Sequence, residues 1–201
     1  LNETIIDSLK GNWINSSYLQ NRLKIKYYGI KNLTFDLEMR NRLIFGQIID
    51  YNPNYAKYLD KDNGLLDLSF NIAKGKSFVL NSNIDRAYIQ YEINKFKLTL
   101  GRQRINWAMT FVWNPNDLFN NYSFFDFDYV EKPGADAIDL QYFINYASNL
   151  EIAAKLNSDS ALTAALKYSF NVFNYDFQII TGVLDNQDYA AGIGWTGNIK
   201  N

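Results

Sequence analysis

Alternation of apolar and polar residues, repeated in segment after segment, constrains this chain more than any other feature. Over 18–28, Leu19, Leu23, Ile25 and Tyr27 share one parity while Gln20, Arg22, Lys24 and Lys26 share the other. Over 33–43, Leu33, Phe35, Leu37, Met39 and Leu43 oppose Thr34, Asp36, Glu38, Arg40 and Arg42. The pattern returns over 86–92 and 96–100, and then in five segments: 138–146, 150–156, 162–170, 173–180 and 189–196. A period of two sends the two sets to opposite faces of a sheet, whereas a helix would scatter them around its axis. The spacing predicts about nine antiparallel strands. Short turns are expected near 30, 94, 148 and 172. Longer connections are expected at 46–81, 103–136, 157–160 and 184–187. Thr4 to Lys10 reads equally as a short helix or as the start of a strand.

Composition excludes several function classes. The chain has no Cys and no His, which removes disulfides, thiolate chemistry, the commonest metal ligand and the usual general base. Twenty Lys and Arg balance 21 Asp and Glu, so no net positive charge recruits nucleic acid. No Gly-rich phosphate loop or nucleophile elbow occurs. Asp60-Lys61-Asp62-Asn63-Gly64 and the acids Asp126, Asp128 and Glu131 lack the spacing of an EF-hand, and the first set reads as a solvated turn. The expectation is a protein that is not an enzyme and has no cofactor or bound metal.

No apolar run approaches the roughly 20 residues of a helical membrane span, but a barrel strand needs only about 9–11. Three features point to such a barrel: a charged polar face on two successive strands, nearly uncharged apolar faces on five later ones, and Tyr or Trp near strand ends (Tyr27, Tyr91, Tyr146, Tyr168, Tyr189, Trp195). A lipocalin-type barrel or a sandwich would alternate equally, with the apolar face inside. The expected fold class is all-β, an antiparallel transmembrane β-barrel of the bacterial outer membrane. Residues 1–201 would form part of one barrel domain, the N-terminal portion of a larger one, because an odd strand count does not close a typical bacterial barrel. Its expected partners are membrane lipid and lipopolysaccharide, small solutes, and a surface or periplasmic protein; no nucleic acid is expected.

The candidates to line a lumen or constriction are Arg22, Lys24, Asp36, Glu38, Arg40, Arg42, Arg86, Arg102, Arg104, Asp136 and Asp139. Arg102 shares parity with Leu100, so an irregularity at Gly101 would be needed to turn it inward. It serves either as an electrostatic constriction or as a salt-bridged latch for the long connection, with Asp85, Glu131, Asp136 and Asp139 as possible partners. Trp107, Trp113 and Phe119 lead an aromatic set in that connection, which forms either a slide for solutes or a local core.

Arg86-Ala87-Tyr88-Ile89-Gln90-Tyr91, Gly101-Arg102-Gln103-Arg104-Ile105-Asn106-Trp107, Trp113-Asn114-Pro115-Asn116-Asp117-Leu118-Phe119-Asn120 and Lys132-Pro133-Gly134-Ala135-Asp136 form an ordered set. This set resembles a porin-like family of outer-membrane barrels, mostly of unassigned substrate, whose general plan alginate exporters and uptake channels share. The resemblance covers 85–140. Ala108, where a Gly is expected, and Asn121, where a Pro is expected, depart from it. It implies roughly twice as many strands as are present here, and a passive channel for small solutes. The alternative is a noncatalytic outer-membrane barrel that scaffolds or binds a partner protein.

Overall fold

The computed structural model describes residues 2–7, 12–62, 64–109, 115–119 and 134–197. Its strands are β1 (Asn2–Asp7), β2 (Asn12–Ile30), β3 (Leu33–Gly46), β4 (Ser69–Lys74), β5 (Phe78–Ile93), β6 (Phe96–Gln103), β7 (Ala135–Asn145), β8 (Ser148–Leu156), β9 (Leu162–Val172), β10 (Tyr175–Leu184) and β11 (Asp188–Gly197). Two five-residue helices, α1 (Gln47–Tyr51) and α2 (Tyr55–Leu59), lie between β3 and β4. All nine expected strands are present. The N-terminal segment adds a strand, β1, and not a helix through Asp7; the 46–81 connection holds α1, α2 and β4.

The strands form one antiparallel sheet ordered β1-β2-β3-β5-β6-β7-β8-β9-β10-β11, with β4 beside β5. Among the described residues no ladder joins β1 to β11, so the sheet is open. This corrects the expected transmembrane β-barrel. It also corrects the functions built on closure: an open sheet encloses no lumen, so neither the solute channel nor the barrel scaffold stands. The outer-membrane placement had been inferred from the barrel and is withdrawn with it. The reason is physical. Alternation reports which face each side chain takes, and that is a local property. Closure depends on hydrogen bonds between strands remote in sequence, which no local pattern encodes.

The described chain divides into two compact units, one of Leu1–Ile25 and Leu37–Asp85, the other of Lys26–Asp36 and Arg86–Asn201. In the first, Ile44, Ile49 and Val79 form a small core against Tyr18, Ile48, Tyr55, Ala56 and Leu59, so the two short helices pack onto strand residues. In the second, Ile105, Trp107, Leu118 and Phe119 pack on Ala135, Ala137, Ala153, Ala165 and Ile180. The connection after β6 thus supplies the cover for β7–β10.

Register places side chains in continuous rows. Ile89, Leu100, Ile138, Ala154, Ala164, Val183 and Tyr189 face one another in turn across β5–β11, as do Tyr91, Leu98, Leu140, Ile152, Leu166, Thr181 and Ala191. These rows are the outward face. The opposite face carries Thr99, Asp139, Ala153 and Ala165 in one row and Lys97, Gln141, Glu151, Lys167 and Ile180 in the next.

Gly101 stands in an unbroken ladder, paired with Tyr88 on one side and Ala137 on the other. Its φ of +113° belongs to the region only glycine enters freely, and a Cβ there would lie 2.3 Å from the Ala87 carbonyl oxygen. Beyond it, Arg102 and Gln103 are both buried. Gly101→Ala is expected to destabilise the protein by about 2–3 kcal/mol through backbone strain and displaced pairing, read as a lowered denaturant midpoint.

Candidate functional site

The sheet buries charge. In the first unit, Arg22 bonds Glu38 at 2.9 Å and Asp85 at 2.7 Å, and Lys24 reaches Glu38 at 3.4 Å. Arg40, 1% exposed, lies 3.7 Å from Asp85. The parity that put Arg22, Lys24, Glu38 and Arg40 on one face is what brings them together. Burial works to raise the Glu38 carboxyl, but Arg22 and Lys24 together hold it below its ordinary range. Arg42 donates to Asn81 Oδ1, and the Asn81 amide reaches Ser69 Oγ, the Phe70 carbonyl and Asn71 Oδ1. Asn71 donates to the Ala56 carbonyl of α2 at 2.8 Å, and Ser69 to that of Leu59. The polar relay thereby ties the helix pair to the strands.

In the second unit, Lys26 pairs with Asp36 at 2.8 Å, and Tyr88 donates to the same carboxylate. The bond from Lys26 to Asp36 raises the Lys26 ammonium above its ordinary value. Arg102 holds Asp136 through two parallel bonds, Nε to Oδ1 and Nη2 to Oδ2, each 2.8 Å. The pair joins the end of β6 to the start of β7, across the base of the long connection. Arg86 is buried and Arg104 exposed.

The densest constellation lies where that connection crosses the polar face. We call its described parts, residues 104–109 and 115–119, the strap. Trp107, 1% exposed, donates its indole N–H to Glu151 Oε1 at 2.6 Å. Glu151 Oε2 pairs with Lys167 at 2.7 Å, and the Lys167 ammonium sits 5.1 Å from the Trp107 ring centroid. Gln178 donates to the Trp107 carbonyl, and Lys155 to that of Phe119. Phe119 meets Trp107 edge-to-face at 4.9 Å. Both aromatics therefore belong to the core that seats the strap. Trp113 lies outside the described residues.

Small residues make room for it. A Cβ on Gly192 would lie 2.5 Å from Asn116 Oδ1, and one on Gly194 2.5 Å from Met109 Sδ. Beneath the strap lies Asp139, 5% exposed, with Oδ2 accepting from Gln141 at 2.8 Å and no hydrogen-bond partner for Oδ1 among the described residues. Burial, then the nearby Glu151 charge, push its carboxyl up to about 6, against the pull of Gln141, Lys97 and Lys167. Burial also lowers the Lys155 ammonium, against the attraction of Asp185 and Asp117.

Of the sequence candidates, the structure gathers Arg22, Lys24, Glu38 and Arg40 into one network; Asp36 and the pair Arg102–Asp136 stand in separate contacts. Sequence reasoning passed over Asp85 as a partner of Arg22, and Glu151, Lys155, Lys167 and Gln178 beneath the strap. Their parity was legible; their shared attachment to Trp107 and Phe119 was not. No three acidic side chains among the described residues are arranged to hold a metal ion.

No family model matches the chain, and neither a curated protein nor a solved structure matches it. The resemblance to a porin-like family over 85–140 is accordingly withdrawn, in line with the open sheet.

Two outcomes follow. Because the folded pKa of Asp139 is raised from 3.8 to about 6, folded protein binds the proton more tightly. The associated penalty is absent at pH 3, develops between about pH 4 and 6, and is complete above that. Asp139→Asn is expected to stabilise the fold at pH 7.5 by on the order of 1–3 kcal/mol and to change little at pH 3, measured by denaturant melts across pH. Trp107→Phe retains the ring but removes the donor to Glu151, and is expected to cost about 1–3 kcal/mol and to open the strap to proteolysis.

Proposed function

We propose that this is a noncatalytic protein whose outward sheet face contacts the acyl chains of a lipid assembly. The observation that carries the reading is the inverted polarity of the sheet: charged and polar side chains are buried on one face, and the other presents bare apolar rows. Ile89, Leu100, Ile138, Ile152, Leu166, Ile179 and Ile193 are exposed there, and no charged residue interrupts the rows they stand in. On β9 the outward residues are Leu162, Ala164, Leu166, Tyr168, Phe170 and Val172, apolar from end to end.

Extent supports an occupant. Large apolar side chains stand exposed on every strand from β5 to β11, a more continuous patch than is usual on a soluble monomer. The side-chain chemistry favours lipid over a protein surface. The middle rows are mostly aliphatic, and aromatic rings gather toward the short turns. There Phe96 packs on Tyr142 at 4.8 Å, and Phe170 stacks on both Tyr168 and Phe177 at 5.1 and 5.4 Å, with Trp195 opposite Phe177. Half-polar rings beside an aliphatic band suit the boundary between headgroups and chains. A protein partner would instead be expected to find charged and hydrogen-bonding groups at the rim.

Trp195, 66% exposed, reports directly on this face. Reconstituted with phosphatidylcholine brominated on its acyl chains, the protein is expected to show a quenched tryptophan component that Trp195→Phe removes. A chain that stays monomeric in detergent-free buffer, with Trp195 emission unaffected by such vesicles, would overturn the proposal; a stoichiometric protein cover that shields Trp195 from bromine would do the same.

A further inference from the structure

We propose that Asp139 is a proton-operated catch for the strap: with the acid neutral the strap stays seated on the polar face, and loss of the proton lifts it. The inference starts from position. Asp139 stands opposite Thr99 and Ala153, and Glu151 opposite Gln141 and Lys167. The two carboxyls therefore occupy adjacent rows of one face, diagonally across β7 and β8. Both are buried, and Glu151 is the group that holds the Trp107 indole.

The groups facing Asp139 set the direction. From β6 it meets Lys97, from β8 Glu151 and from β9 Lys167, while Gln141 of its own strand donates to Oδ2. Elsewhere on β7, Asp136 is taken up by Arg102. The described strap brings Asp117, which attracts Lys155, and the exposed Arg104. A charge on Asp139 repels Glu151 and competes for Lys167. Lys167 is the cation that pairs with Glu151 and lies against the Trp107 ring. Ionisation thus loosens the indole's acceptor and the cation beside its ring together.

The route to water decides what moves. Parting β7 from its neighbours to hydrate Asp139 would break backbone ladders along the strand. Lifting the strap instead breaks side-chain bonds such as Trp107 to Glu151, Gln178 to the Trp107 carbonyl and Lys155 to the Phe119 carbonyl. Local opening is the less costly path. In the closed form the proton sits on Asp139, and on opening it passes to solvent. Every group involved lies opposite the outward face, so the catch does not depend on what covers that face.

The chain contains no cysteine, so a single introduced thiol can report opening. Ala165→Cys places it on the floor beneath the strap, and Ala147→Cys, at an exposed turn, gives the unprotected rate at each pH. Both variants of the full chain would be labelled with 4,4′-dithiodipyridine, which reacts with thiols in acid as well as at neutral pH. With an ordinary value of 3.8 when open and about 6 when closed, the protected-to-exposed rate ratio should rise roughly 25-fold from about pH 4.5 to 7.5. Asp139→Asn should abolish the rise. Lys97→Gln, which removes an attracting charge and leaves the strap's bonds in place, should move it to higher pH. A flat ratio, a rise that survives Asp139→Asn, or an unmoved midpoint in Lys97→Gln would overturn the proposal. So would a Val79→Cys thiol, buried in the other unit, whose labelling rises in step with that of Ala165→Cys, since that would mark unfolding of the whole chain.

Discussion

Everything in this structure depends on the pairing of buried charges. A β-sheet normally hides its apolar side and wets its polar side. Here the arrangement is reversed, and reversal is tolerable only if each hidden charge finds a partner, because an isolated buried ion costs several kcal/mol. Glu38 sits between Arg22 and Lys24, Asp85 beside Arg22 and Arg40, Glu151 between Lys167 and Trp107, and Asp136 in the fork of Arg102. Such pairs add little net stability, since desolvation offsets attraction. What they add is specificity: moving any strand by one residue would strand a carboxylate without its cation.

The same requirement explains the strap. A polar face without a cover would meet water and need no internal pairing. With Trp107 and Phe119 laid over it, the face becomes a second interior built from unlike materials: Ala137, Ala153 and Ala165 provide flat floor, while Glu151, Lys155, Lys167 and Gln178 grip the strap's indole and carbonyls. Asp139 is the flaw in that interior. It has the amide of Gln141 but no ion pair among the described residues, and so takes up a proton more readily than an exposed acid does.

How much of this was legible from sequence divides along physical lines. Face assignment was legible, because parity is fixed by the geometry of adjacent peptides; Leu100, Ile138 and Ile152 stand where their parity put them. The unusual backbone angle at Gly101 was legible, because glycine alone enters that region freely. Pair identity was not. Glu151 and Trp107 are separated by 44 residues, and nothing in either neighbourhood names the other. Closure was least legible of all. Strands that alternate in this way serve an open sheet and a barrel equally well, and the step from pattern to barrel, then to channel and compartment, borrowed information that the pattern does not hold.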